Sequence, residues 1–243
     1  MKKRVLALLL GVVMSFALAA CGSGGDDASK PAQGESKTGG KEPSIEVVSE
    51  ALQKYTTLDA PCATYLAELK NTGEVPVKIS NISIDVEDAA GSILKSADFI
   101  TAYPNVINPG ESAYICEEVV NGAFDEGVAL DNIGKAILHY DIEKQAAPES
   151  LPVAISEIAL GESYGYPNLV GRIENTGSTD IEELYIVADI RSADGTLQNV
   201  IFTIVDNLKA GEKKGFEQMA IAGDLALDFS ASTVNVKAYI PVI

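Results

Sequence analysis

The chain has 243 residues, with 18 basic and 35 acidic side chains, and a net charge of −17 with its single histidine neutral. Such an excess of carboxylates repels nucleic acid and anionic lipid head groups, which excludes both as direct electrostatic ligands. There is no tryptophan, and the three cysteines form no Cys-x-x-Cys pair, which argues against redox catalysis.

Met1-Lys2-Lys3-Arg4 opens the chain with positive charge, an apolar run follows from Val5 to Leu18, and Ala19-Ala20 precede Cys21. A charged start, a short apolar stretch and small residues are the parts of an export signal. The run is too short to cross a bilayer as a mature helix, which takes about 20 apolar residues. Residues 1–20 are therefore expected to be a signal peptide. Leu18-Ala19-Ala20-Cys21 resembles the lipobox of bacterial lipoproteins. That resemblance implies that Cys21 is lipidated with acyl chains of the palmitate class and becomes the first mature residue. Two or three such chains hold a protein stably on a membrane, at about 0.8 kcal/mol per buried CH₂. The expected location is extracytoplasmic, with the membrane reached through the lipid on Cys21. Gly22 is not the aspartate that serves as the inner-membrane retention signal in this family.

Residues 21–44 form the next segment. From Gly22 to Ser44 there is no large apolar side chain, so burial cannot offset ordering entropy and a flexible tether is expected. A Gly/Ser-type coil of this length spans roughly 25 Å.

Beyond it the chain repeats itself. Tyr65-Leu66-Ala67-Glu68-Leu69-Lys70-Asn71-Thr72-Gly73 aligns with Leu169-Val170-Gly171-Arg172-Ile173-Glu174-Asn175-Thr176-Gly177 at an offset of 104. Ile82, Ile84 and Val86 fall on Ile186, Ala188 and Ile190 at the same offset, and Asn108-Pro109-Gly110-Glu111 matches Lys209-Ala210-Gly211-Glu212. A period near 100 residues means two tandem domains, placed at 45–146 and 151–243. Within each, apolar residues alternate with period two: Tyr65, Ala67 and Leu69 on one face, Thr64, Glu68 and Lys70 on the other. Asn-Thr-Gly, Ala-Ala-Gly, Ala-Asp-Gly and Pro-Gly-Glu supply the turns. The fold class expected is all-β, two immunoglobulin-like antiparallel β-sandwiches. Ile45, Val48, Leu52 and Tyr55 alone would also suit a helix. Their counterpart, Pro152 to Leu160, opens with proline and reads as a strand, which decides for a first strand in both. Ala146–Ser150 is the joint, too short for wide motion but expected to permit a limited range of angles.

The order of Asn-Thr-Gly, an apolar strand ending in an acidic glycine turn, and Pro-Gly-Glu resembles the FxLYD-type bacterial domain, whose pattern is aromatic-x-Leu-Tyr-Asp-x-x-Gly. The matching runs are Ile84-Asp85-Val86-Glu87-Asp88-Ala89-Ala90-Gly91 and Ala188-Asp189-Ile190-Arg191-Ser192-Ala193-Asp194-Gly195. Both lack the aromatics, and the second has Ser192 at the aspartate position. The resemblance implies a fold and carries no catalytic residues.

Cys62 and Cys116 occur in the first repeat only, where the second has Tyr166 and Glu217. Both are expected on the face away from the core. In an immunoglobulin-like order the second and fifth strands are antiparallel neighbours, which would bring the start of one beside the end of the other. A disulfide is the expected outcome, permitted by export and contributing about 4 kcal/mol on a loop-entropy basis. The alternative is two exposed free thiols. His139 falls on an outer face as a solvated strand residue, and one histidine makes neither a zinc site nor a Ser-His pair without a Gly-x-Ser-x-Gly elbow. The clusters Asp85/Glu87/Asp88, Glu117-Glu118, Asp125-Glu126 and Glu182-Glu183 lack EF-hand spacing and read as solvated charge.

No catalytic set, metal site or cofactor is expected, and the chain reads as a non-enzyme. The expected role is a membrane-anchored binding or spacer module of the cell envelope, its partner an envelope protein or ligand of unknown identity. The alternative is an accessory solute- or metal-binding lipoprotein of an envelope transporter, although such proteins are typically two-lobed α/β folds. An envelope hydrolase lacks a recognisable catalytic set.

Overall fold

The computed structural model describes residues 42–57, 59–125, 127–220 and 231–242. The expected signal peptide, Cys21 and the tether up to residue 41 lie outside them. The described chain is all-β, with one short 3-10 turn at Leu130–Asn132. Its first half contains β1 (Ile45–Thr57), β2 (Ala60–Asn71), β3 (Val77–Glu87), β4 (Ile93–Ile100), β5 (Val106–Ile107), β6 (Ser112–Asn121) and β7 (Lys135–Lys144). The second contains β8 (Val153–Ser163), β9 (Tyr166–Asn175), β10 (Ile181–Arg191), β11 (Leu197–Leu208), β12 (Lys213–Met219) and β13 (Thr233–Tyr239).

The two halves share one topology. In the first, β1-β2-β6 form one antiparallel sheet, and β3 is flanked by β4 and β5 on one side and β7 on the other. In the second, the sheets run β8-β9-β12 and β11-β10-β13. Each pair of sheets encloses its own core. Tyr65, Ala67, Leu69, Ile84 and Ile115 lie in the first core, Leu169, Ile173, Ile186, Ile190 and Phe216 in the second. The period-two reading of β2 therefore holds on its core face, and Ile84 and Ile190 are fully buried.

Bulges explain where the alternation breaks. The β1–β2 register shifts between Val47 and Ser49, so Ile45 and Leu52 both reach the core despite opposite parity. That slip is the source of the helix-like spacing in this strand, because one extra residue moves all later side chains to the other face. In β3 the core residues change from Val77 and Ile79 to Ile82, Ile84 and Val86 across a shift between Ser80 and Ser83. Asn81 takes a φ of 50° there and donates to Asp141 at 2.8 Å.

The turns repeat as faithfully as the strands. Gly91 and Gly195 both have φ of 87°, a conformation that favours glycine. Their N–H groups donate to the carbonyls of Asp88 and Ser192 at 3.1 and 2.9 Å. In the first turn the Asp88 carboxylate accepts from the N–H of Ala90 and Ser92, and the Ser92 bond leads in holding it below the usual carboxylate range. In the second the carboxylate has moved two positions to Asp194, which accepts from the Thr196 N–H at 3.1 Å.

Candidate functional site

The outer faces of β2 and β10 are not wet. Between the two cores lies a third apolar cluster of Leu66, Val187, Leu197, Val200 and Tyr239, with Ala51, Tyr103, Tyr114, Cys116 and Tyr185 packed against it. Leu66, Tyr114 and Cys116 come from the first half, Val187, Val200 and Tyr239 from the second, so this cluster joins the two sandwiches. Tyr103 stacks on Phe202 with ring centres 4.4 Å apart, and Tyr185 meets Phe202 and Tyr239 edge-on.

A polar knot closes one side. Arg191 donates to Asp189 at 2.7 Å within its own half and to Glu68 at 2.9 Å across the seam. Its guanidinium lies 5.9 Å from the centre of the Tyr114 ring, within reach of a cation–π contact. Burial works against the cation, but the bonds to Glu68 and Asp189 outweigh it and hold Arg191 above its ordinary range. Further bonds cross the seam: Gln53 Nε2 to the Gln198 carbonyl at 2.8 Å, Asn105 Nδ2 to the Val242 carbonyl at 2.6 Å, and Lys237 to Glu111 at 2.8 Å. Domain motion is the default across small polar contacts and is suppressed by apolar ones. The joint at Ala146–Ser150 is thus braced by a buried face that the sequence reading did not assign. The signal was Leu66, an apolar residue in line with Thr64, Glu68 and Lys70.

The expected disulfide is not made: Cys62 and Cys116 are both free thiols. The second and fifth long strands are neighbours as expected, β2 pairing with β6. However, β6 continues past Cys116 to Asn121, so Cys62 sits opposite Asn121 while Cys116 sits opposite Leu66. Four residues of strand separate the two positions, about 13 Å at ~3.3 Å per residue, where a bridge needs Cα atoms roughly 4.4–6.8 Å apart. Nor are the thiols exposed in the way the alternative expected. Cys62 is buried and Cys116 half-buried, the latter because it packs against the cluster that the second sandwich lays over this face. Burial pushes the Cys116 thiol up to about 12, and the hydrogen bond with the Val200 backbone offsets only part of that rise.

His139 lies on an exposed stretch of β7 with its Nε2 3.2 Å from Asp85. Asp85 also accepts from Ser96. Glu87 pairs with Lys135 at 3.1 Å, and Asp125 bonds Lys95 at 2.7 Å. Glu118 accepts from Tyr55 and Asn121. These carboxylates are spent on separate local partners. Among the described residues no group of three or more His, Cys, Asp or Glu side chains converges as a metal site.

One cleft of about 450 Å³ opens beside the seam, within the ~300–1,000 Å³ span of ligand pockets. Val153 and Ile155 of β8 line one side, Pro104 and Val106 of the first half another, and Val236 and Ala238 of β13 lie between. Glu111 and Lys237 also line it but neutralise each other.

No family model matches the chain, and no curated protein matches it. Among solved structures it shows similarity to dimeric latent PorU from Porphyromonas gingivalis, at 14% identity and a TM-score of 0.24. The matched region takes in 81% of this chain and 18% of that one, so this chain spans less than a fifth of that protein.

Proposed function

We propose that the chain is a lipid-anchored extracytoplasmic lipoprotein whose two sandwiches act as a non-enzymatic binding or spacer module of the cell envelope. Cys21 carries the anchor, and the segment to Ser44 holds the folded part off the membrane. The observation that supports this reading best is the buried seam around Leu66, Tyr103 and Phe202, which joins the two modules into one body. A spacer or presenting platform needs such a body, whereas a solute trap that closes about a hinge does not have one. The finer likeness to FxLYD-type domains rests on the Asp88–Gly91 turn and its counterpart at Ser192–Gly195.

The cleft beside β13 favours a second reading, an accessory solute-binding lipoprotein of an envelope transporter. Crosslinking in the producing cells followed by capture of the anchored chain separates the two. The first reading expects an envelope protein partner that stays bound without small molecules; recovery of a transporter permease would support the second instead. The anchor is tested by Cys21→Ser, which should release the protein from the membrane fraction. A Cys21→Ser chain that still enters the detergent phase with metabolic acyl label would overturn the anchor.

A further inference from the structure

The edge of β13 is unusually open to pairing. It runs in unbroken register with β10 from Tyr185 opposite Tyr239 to Arg191 opposite Thr233, which gives about 20 Å of regular strand. No described strand pairs with its other side. Open edges are templates for a foreign strand unless bulges, prolines or charges blunt them. Other edges here are blunted. β1 and β8 carry bulges, with Glu157 of β8 at a φ of 55°. β4 and β11 shift register against their partners, and β12 begins with two lysines. β7 pairs across the β3 bulge and carries charges at Lys135, Asp141, Glu143 and Lys144. In Thr233–Tyr239 the one charge, Lys237, is turned to Glu111.

This edge borders the cleft, and the second core is uncovered beside it. Val153 and Ile155 on β8 and Val236 and Ala238 on β13 pack against that core yet remain only partly buried. The gap between β8 and β13 therefore offers two things at once: an unpaired backbone edge and an apolar slot between the sheets. At its rim Glu149 is exposed and has no cation within ion-pair distance among the described residues.

We propose that this cleft binds an extended polypeptide segment, which joins the sheet as a further strand beside β13. Backbone hydrogen bonds supply most of the affinity in this mode, and alternate side chains supply the selectivity. The slot accepts small β-branched side chains at alternate positions, and Glu149 selects for a flanking lysine or arginine. The inference deepens the binding-module reading and rests on it.

The test uses the full chain in detergent micelles and a fluorescein-labelled seven-residue peptide, lysine at both ends and valine alternating with threonine between. Binding followed by anisotropy should saturate, weaken at least tenfold when the central residue is proline, and weaken about fivefold in Glu149→Lys. Hydrogen exchange of Thr233–Tyr239 should slow at least tenfold with peptide, while Lys135–Lys144 is unchanged. Equal protection of both edges, no protection of β13, or indifference to the proline would overturn the proposal. So would a chain that dimerises through β13 without peptide, since a second copy would then be the occupant. Peptide bound elsewhere would remove the cleft and leave the binding-module reading standing. Protection of β13 with no envelope partner captured in cells would do the reverse.

Discussion

Asn71 and Asn175 tie the same knot in the two halves, 104 positions apart. Each is fully buried. Asn71 Nδ2 donates to the carbonyls of Val75 and Ile107 at 2.8 and 3.0 Å, and its Oδ1 accepts from the Gly73 N–H at 3.0 Å. Asn175 does the same with Thr179, Leu208 and Gly177 at 2.8, 3.2 and 2.9 Å. Their main chains bond the Pro-Gly-Glu-type turns, through Glu111 and Gly110 in one half and Glu212 and Gly211 in the other. Each asparagine thereby ties a strand end to two loops.

Asn71→Ala strands two buried carbonyls and one N–H, so it should cost about 3 kcal/mol, given ~1–3 kcal/mol for an orphaned buried group. Asn175→Ala should cost a similar amount. Asn71→Asp should be worse than alanine at neutral pH, since a carboxylate then faces two carbonyl oxygens, and should recover in acid when protonated. Urea denaturation of the three variants at pH 7 and pH 4 checks the order.

The cores differ by a compensated exchange. Ala67 lies opposite Ile115, and Gly171 lies opposite Phe216 in the same place. A Cβ on Gly171 would stand 2.4 Å from the Phe216 ring and 2.6 Å from Ile158. Gly171→Ala alone should therefore destabilise by about 1–3 kcal/mol. The double variant Gly171→Ala with Phe216→Ile should regain most of that loss, having rebuilt the first half's pair. A double-mutant cycle by thermal unfolding measures the coupling.

Removing the seam should change how the protein unfolds. Leu66→Ala should cost about 3 kcal/mol. Arg191→Ala should cost a comparable ~3 kcal/mol by leaving Glu68 and Asp189 without their shared cation. In both, calorimetry should resolve two transitions where the parent shows one. A single transition in Leu66→Ala would mean that the cluster does not couple the halves.

Alkaline pH should weaken the fold through Cys116. Its thiol is raised to about 12 in the folded chain and sits near 8.5 when unfolded. Below about pH 8.5 its contribution to stability is complete. Between there and 12 the unfolded chain loses the proton while the folded chain keeps it, so stability falls as pH rises. Tyr114, also raised to about 12 by burial first and by Asp189 next, acts in the same direction above about pH 10. The urea midpoint should drop between pH 7.5 and 10.5, and Cys116→Ala should reduce that drop. Reducing agent should leave both midpoints where they are, since no bridge exists to break.

Strand order, core parity and the repeat were legible because periodicity and turn chemistry act locally. Tyr65, Ala67 and Leu69 face a core whichever way the rest of the chain is arranged. Cys116 was misread, and Leu66 was left unassigned, because parity assigns a face but does not say what covers it. The covering residues, Val187, Val200 and Phe202, lie in the other half. The cysteine pairing failed for a narrower reason: β6 runs on past Cys116 to Asn121, and a turn placed five residues early moves a thiol by about two to three times the span of a bridge. Asn71 and Asn175 were read as turn residues, since nothing in the triplet Asn-Thr-Gly distinguishes a solvated turn from a buried knot.

Because β2 is buried on both faces, the first half cannot finish folding on its own account. At ~5–20 residues per second, Val187 to Phe202 are made on the order of ten seconds after Leu66. For that interval Leu66, Tyr103 and Tyr114 form a bare apolar face on a sandwich that is otherwise complete. On the proposed export route, the adhesive side is made first and its own cover last.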